Sequence, residues 1–178
     1  MARQGLQRIA IVGATGSGKT RLALALVQRL AVPHIELDAL FWGPGWQAAA
    51  RDVFRARVAA AVAGPAWVAD GNAHLARDII WGRATAVVWL DYALPLVLWR
   101  LAKRTARRAL TEEELWNGNR QRLRDLFGHN SVLLWVLQSH FRHRREYPAE
   151  LARPEYKHLA VVRLRSPRET ERWLISLN

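Results

Sequence analysis

The chain reads as an α/β fold: a doubly wound, five-stranded parallel sheet with helices on both faces and a helical insertion in its second half. Two observations predict this. Five short, almost unbroken apolar runs alternate with amphipathic stretches, the pattern of strands buried on both faces and connected by helices. A glycine-rich octapeptide, Gly13-Ala14-Thr15-Gly16-Ser17-Gly18-Lys19-Thr20, stands between the first run and the first helical stretch, where such a fold turns from strand to helix.

The elements follow in order. A first strand over Arg8–Val12 enters the octapeptide, and Leu22, Leu26, Val27 and Leu30 then recur at helical spacing. The octapeptide satisfies G-x-x-x-x-G-K-[ST] in full. Its glycines let the backbone reach φ > 0, so that N–H groups converge on phosphate oxygens at the positive end of the helix. Gly13, Ala14, Thr15, Gly16, Ser17, Gly18, Lys19 and Thr20 are therefore the expected cradle of a nucleoside triphosphate, with Lys19 reaching the β/γ-phosphates and the Thr20 hydroxyl offered to Mg²⁺. A second strand over His34–Leu37 closes on Asp38. The stretch Arg51–Ala63 carries Val53, Phe54, Val58 and Val62 on one helical face. A third strand over Ala66–Ala69 closes on Asp70, and a fourth over Ala86–Leu90 closes on Asp91. The helix Pro95–Ala109 presents Leu94, Val97, Leu98 and Leu101 inward. From Thr111 to Tyr147 the alternation stops, which predicts two or three successive helices without a strand. Thr111-Glu112-Glu113-Glu114 reads as a capping box opening the first of them. The fifth strand, Leu159–Leu164, precedes Ser166-Pro167-Arg168-Glu169, a capping box with proline at the first helical position that opens the last helix.

Composition bounds the partners. At 178 residues the chain is one domain long, and half of its residues are hydrophobic. Without cysteine it has no disulfide, thiolate metal site or cysteine nucleophile, and without an h-region or an apolar run of about 18 residues the expectation is a soluble, cytoplasmic protein. The net charge of +12, from 27 Lys+Arg against 15 Asp+Glu, points to a polyanionic ligand or partner. The lysines are Lys19, Lys103 and Lys157, so nearly all of the positive charge is arginine, the side chain suited to bidentate phosphate contacts.

Ligands of such a fold bind beyond the carboxyl ends of the strands, where Asp38, Asp70 and Asp91 project. One such carboxylate, expected to be Asp70 acting with Thr20, holds Mg²⁺ through water. Another, Asp38, accepts the proton of an attacking hydroxyl. The alternative for each is a loop or helix cap. Arg100, Arg104, Arg107 and Arg108 form a basic stripe with Lys103 beside it, followed by Arg120, Arg122 and Arg124 and by Arg142, Arg144 and Arg145. These arginines stabilise a transferring phosphoryl group, bind nucleic acid without sequence preference, or form a solvated face. Trp42 and Trp46, in the lip Phe41-Trp42-Gly43-Pro44-Gly45-Trp46, are candidates for stacking on an acceptor, or else for packing in the core.

With these residues in place, the chain resembles the adenylate kinase-like P-loop kinases, in particular the small bacterial proteins labelled as related to DNA topology modulation. Gly13–Thr20, Asp38-Ala39-Leu40-Phe41-Trp42, Pro44-Gly45-Trp46, Asp70-Gly71-Asn72, the pair Arg100 and Arg104, and Trp116-Asn117-Gly118-Asn119-Arg120 carry the resemblance. It implies a P-loop NTPase fold of the nucleoside monophosphate kinase kind, with ATP and Mg²⁺ on Gly13–Thr20. It also implies acceptor or metal contacts from Asp38, Asp70 and the neighbouring Asn72. Arg100 and Arg104 take lid duty within a helical lid spanning roughly 95–150, and the loop Arg165-Ser166-Pro167, with Ser166, lies against the adenine. The chain departs from the pattern at one place. Adenylate kinases carry an arginine shortly after the Asp-Gly pair to hold the acceptor phosphate, whereas Asn72, Ala73 and His74 follow here, and Arg77 or Arg83 would have to replace it. The expectation is a single-domain phosphotransferase that moves the γ-phosphoryl of ATP to a small hydroxyl-bearing, neutral acceptor in preference to AMP. The rival expectations are a nucleic-acid-binding ATPase and a nucleotide-binding protein without transferase activity.

Overall fold

All five apolar runs become strands of one parallel sheet in the computed structural model, which describes residues 6–111, 113–120 and 132–177. In chain order the elements are β1 (Arg8–Gly13), α1 (Lys19–Leu30), β2 (His34–Glu36), α2 (Leu37–Phe41), α3 (Arg51–Ala61), β3 (Trp67–Asp70), α4 (Arg77–Arg83), β4 (Ala86–Leu90), α5 (Leu94–Leu110), α6 (Val132–Leu151), β5 (Ala160–Leu164) and α7 (Pro167–Ile175). The strand order is β2-β3-β1-β4-β5, with every pair parallel. The chain winds to one side of β1 through β3 and to the other through β4, so the switch point of the sheet opens at Gly13, the first residue of the octapeptide.

Each face of the sheet buries its own core. Phe54, Val58, Val62, Trp67, Trp81 and Tyr147 fill one, and Leu22, Leu26, Val88, Val97, Leu101 and Val136 fill the other. Each such side chain contributes about 1.5–3 kcal/mol on leaving water. β3 and β4 are buried throughout, whereas the edge strand β5 alternates between partly buried and exposed residues.

The structure corrects three boundaries. β2 stops at Glu36 and Leu37 already begins α2, so Asp38 sits in the first turn of a five-residue helix. β3 includes Asp70 as its last residue. Thr111 closes α5 instead of opening a new helix, because its N–H and its hydroxyl both bond the Arg107 carbonyl at 2.9 Å. Glu113 is drawn to the basic last turn of α5, its carboxylate meeting Arg107 Nη2 at 2.7 Å and Arg108 Nε at 3.3 Å, where the helix dipole also favours the positive charges. Residues 113–120 then form a loop closed by an antiparallel bridge between Glu114 and Arg120, and the next described helix is the 20-residue α6. Glu112, Arg122 and Arg124 lie outside the described residues. The start of α7 matches its sequence signature: Ser166 Oγ accepts from Glu169 N at 3.2 Å and Pro167 occupies the first turn. Among the described residues, no helix is long and apolar enough to cross a membrane.

Candidate active site

The octapeptide is shaped by contacts that exclude side chains. Gly16, at φ 91°, would place a Cβ 2.8 Å from the Val97 carbonyl and 3.3 Å from the Leu101 nitrogen, so α5 packs directly on the loop. Gly13, at φ 145°, would place one 2.6 Å from the Leu90 carbonyl. Lys19 Nζ folds back to donate to the carbonyls of Gly13 (2.9 Å) and Ala14 (3.2 Å). Burial pushes its pKa below the ordinary lysine value, against the opposing pull of Asp38 and Asp70. The Ser17 hydroxyl is buried in the same loop without a hydrogen-bond partner.

Asn72 holds the loop from below. Its Oδ1 accepts from Gly13 N at 3.0 Å and its Nδ2 donates to Gly13 O at 3.0 Å, while Tyr147 from α6 donates its hydroxyl to the same Oδ1 at 3.1 Å. The carboxamide of Asn72, expected to contact the acceptor, is thus engaged on the Gly13 backbone and the Tyr147 hydroxyl.

The Thr20 hydroxyl donates to Asp70 Oδ2 at 2.6 Å, and His34 Nε2 meets Asp70 Oδ1 at 2.9 Å. Two hard oxygen donors therefore adjoin at the end of the P-loop, which is the chemistry Mg²⁺ selects. Among the described residues no group of three acidic, histidine or cysteine side chains is arranged to hold a metal ion by itself. The pair accordingly fits an ion that arrives with phosphates, not one caged by protein alone.

Asp38 lies within the electrostatic reach of Lys19, Asp70 and Arg104. Burial pushes its pKa above the usual aspartate value, with Lys19 pulling the other way and Asp70 reinforcing the rise. Arg104 is desolvated enough to fall to about 10, with Arg108 adding to the effect and Asp38 opposing it. Its Nε is buried without a hydrogen-bond partner. One helical turn earlier, Arg100 donates to the Ser17 carbonyl at 3.3 Å and lies 5.4 Å from the centre of the Tyr92 ring. The expected basic stripe therefore divides. Arg100 stands on the phosphate loop, Arg104 stands with Asp38 and Lys19, and Arg107 and Arg108 are held by Glu113.

Other expected participants are engaged elsewhere. Asp91 does not open into the crevice: Arg144 Nε takes Oδ1 at 2.6 Å, and Arg163 takes Oδ2 through Nη2 at 2.6 Å and Nε at 3.0 Å. Arg77 is paired with Glu150 and lies 5.2 Å from the rings of both Trp81 and Tyr147. Arg83 donates to the Val62 and Ala63 carbonyls at 2.7 Å each. Both guanidinium groups, the expected substitutes for an acceptor-phosphate arginine, are thus partnered within the protein. Ser166 is the N-cap of α7, beyond the carboxyl end of β5 and on the same end of the sheet as the P-loop.

Trp42 and Trp46 form an edge-to-face pair with ring centres 5.7 Å apart, and the Trp42 N–H bonds the Asp38 carbonyl at 3.0 Å, which ties the lip to the candidate base. Sequence reasoning did not single out His34 or Tyr147. His34 opens β2, where pairing with β3 sets it opposite Val68, two residues before Asp70, and its ring reaches the Asp70 carboxylate. Tyr147 has no local signal, because its partner lies 75 residues away.

Comparison with solved structures gives the fold its context. A gluconokinase from Sinorhizobium meliloti 1021 aligns at TM-score 0.56 and 19 % identity, over 97 % of this chain and 93 % of that one. The chain has the fold of the P-loop kinases. A shikimate kinase from Bacteroides thetaiotaomicron shares the P-loop fold at TM-score 0.57 and 18 % identity, over 96 % of this chain and 95 % of that one. A shikimate kinase from Acinetobacter baumannii, in complex with shikimate, does so at 0.55 and 16 %, over 96 % and 90 %. No protein-family model matches the chain, and no curated protein matches it.

Proposed function

We propose that the protein is an ATP- and Mg²⁺-dependent small-molecule kinase that transfers the γ-phosphoryl group to a hydroxyl of its acceptor. The observation that carries this reading is the convergence of Lys19, Asp38, Asp70 and Arg104 beside a complete P-loop. Gly13–Thr20 bind the donor phosphates, and Lys19 exchanges the carbonyls of Gly13 and Ala14 for phosphate oxygens. Thr20 and Asp70 would hold Mg²⁺, which would supply charge neutralisation to the donor phosphates. Asp38, whose burial makes it a stronger base than a solvated aspartate, takes the proton of the acceptor hydroxyl. Arg104 and Arg100 neutralise charge on the transferring group from a site shielded from water, where such contacts act most strongly.

The acceptor is a hydroxyl compound in preference to AMP. With Arg77 and Arg83 both engaged, the loop after β3 offers no arginine to a monophosphate. Trp42 and Trp46 provide an aromatic lip of the kind that packs on rings and polyols. The three solved neighbours, a gluconokinase and two shikimate kinases, are named for hydroxyl-bearing acceptors that are not nucleotides. The adenylate kinase-like affinity read from the sequence is retained here for the donor half, with Ser166 on the adenine side. We further read the chain as one domain, with a helical lid within 95–150, working in the cytoplasm where ATP is available. The test is ADP release from Mg·ATP on addition of D-gluconate, shikimate, adenosine, glycerol or AMP. Stimulation by one of the four hydroxyl compounds supports the reading, and stimulation by none of those four removes it.

The net charge of +12 favours one competing reading, a nucleic-acid-stimulated ATPase. Several of the arginines behind it are paired or packed, including Arg55, Arg77, Arg83, Arg107, Arg108, Arg144 and Arg163. ATP hydrolysis stimulated by DNA, with affinity falling steeply as salt rises, would favour it instead.

A further inference from the structure

Asn119 is 3 % exposed, and its carboxamide is bonded at both ends. Oδ1 accepts from Trp46 N at 2.7 Å, and Nδ2 donates to the carbonyls of Gly43 at 2.9 Å and Trp116 at 2.8 Å. Around it the Asn117 amide donates to the Trp42 carbonyl, the Trp116 indole N–H donates to the Glu36 carboxylate, and the Trp46 indole N–H donates to the Arg120 carbonyl at 3.3 Å. The segment 113–120 is thereby stitched, bond by bond, onto the tryptophan lip that follows Asp38.

The two loops are built alike. Each is closed by one antiparallel bridge, Trp42 with Ala48 and Glu114 with Arg120, and each holds a non-glycine residue in the left-handed region, Trp46 at φ 58° and Asn117 at φ 56°. For a residue as bulky as tryptophan that conformation is unfavourable by itself and persists only where surrounding contacts over-determine it. Asn119 supplies such a contact, because it binds the Trp46 N–H and the Gly43 carbonyl together. Trp46 also packs edge-to-face on Trp116 at 6.5 Å. At its other end the 113–120 segment begins at Glu113, the carboxylate that pairs with Arg107 and Arg108 of α5. It therefore bridges the helix that carries Arg104 and the lip that adjoins Asp38.

We propose that the 113–120 loop is the second wall of the acceptor site and that Asn119 is its positioning residue, fixing Trp42 and Trp46 for acceptor contact beside Asp38. This rests on the small-molecule kinase reading above. Asn119 touches neither ATP nor the reacting atoms. It sets which acceptors the lip can seat, and its loss falls on acceptor binding and not on donor binding.

The experiment compares wild type with Asn119→Ala and with Asn117→Gly, whose glycine keeps the left-handed backbone and removes only the bond to Trp42, so that a folded variant is in hand. Amide hydrogen exchange reads the lip directly, without any acceptor. Removing the Asn119 bonds should raise exchange over residues 42–48 by about tenfold or more, since each net hydrogen bond contributes about 1 kcal/mol, while residues 8–20 keep their protection. Asn117→Gly should give a smaller rise over the same residues. The functional readout uses whichever of D-gluconate, shikimate, adenosine or glycerol gives the fastest ADP release with wild type. Its KM should rise about tenfold in Asn119→Ala, with ATP affinity unchanged and kcat lowered by less than KM is raised. Unchanged exchange over 42–48 in both variants would overturn the proposal. So would a rise spread over the whole chain, which marks a fold residue, or an unchanged KM. Stimulation by none of the four with wild type would refute the kinase reading, while exchange at 42–48 would still decide whether Asn119 positions the lip.

Discussion

Thr20 donates its hydroxyl to Asp70 at 2.6 Å, joining the last residue of the P-loop to the last residue of β3. The contact exists because β1 and β3 are neighbours in the sheet, so the helix leaving β1 starts beside the end of β3. It sets two hard oxygens side by side at the end of the octapeptide. Asp70→Asn should therefore retain the fold but lower turnover more than ATP affinity, because a group that orients the metal acts mainly in the transition state. Measured turnover equal to wild type over a Mg²⁺ titration would return Asp70 to a purely structural role.

Lys19→Ala should abolish ATP binding in a calorimetric or fluorescence titration. It should not weaken the fold at neutral pH, because burial already disfavours the charged ammonium there. Unaltered ATP affinity would remove the central element of the proposed function.

Asp38→Asn separates function from stability. The folded carboxyl has its pKa raised, so its favourable contribution is complete below the unfolded value near 4 and is lost as pH rises through the folded one. At neutral pH the ionised group costs stability, and the asparagine variant should melt higher than wild type. Its turnover should fall by about 10²-fold or more if Asp38 is the general base. In wild type, kcat should decline with acidification at a pH above the ordinary aspartate range. A lower melting temperature together with full turnover would contradict both halves.

Arg104→Ala should lower turnover by about 10³-fold if the guanidinium stabilises the transferring group. With a pKa near 10 it stays charged throughout the neutral range. Arg107→Ala, whose side chain is paired with Glu113 at the surface, should change little. Equal effects of the two substitutions, confined to DNA binding, would move the assignment to the nucleic-acid reading.

AMP should be a poor acceptor. ADP release at equal concentrations should be greater with a hydroxyl compound, and Trp42→Ala should weaken that compound without weakening ATP. Efficient ADP formation from AMP would reverse this order and require a phosphate ligand other than Arg77 and Arg83.

The sheet, its parallel winding and the P-loop were legible in the sequence because each is written locally, as an apolar run or as a contiguous motif. The approach of Lys19, Asp38 and Asp70 followed from their places after β1, β2 and β3. What local reading missed depends on distant partners. Thr111 carries a helix-opening signature, yet the arginines of the preceding turn capture Glu113 and the helix ends there instead. Asp91 closes its apolar run in the sequence as Asp70 does, but Arg144 and Arg163 arrive from 53 and 72 residues further along and neutralise it. The bonds of the Asn72 carboxamide to Gly13 and Tyr147 likewise have no local signal.

The Tyr147 hydroxyl on Asn72 also bears on how the protein is made. The phosphate loop is complete as a peptide once about twenty residues have been synthesised, but the tyrosine that secures its clamp comes more than a hundred residues later. A growing chain on the ribosome therefore carries a nucleotide motif whose support is unfinished until α6 has emerged and packed. Under the proposed function, firm ATP binding is expected only near completion of the polypeptide, and chains interrupted before α6 would carry the motif without its anchorage.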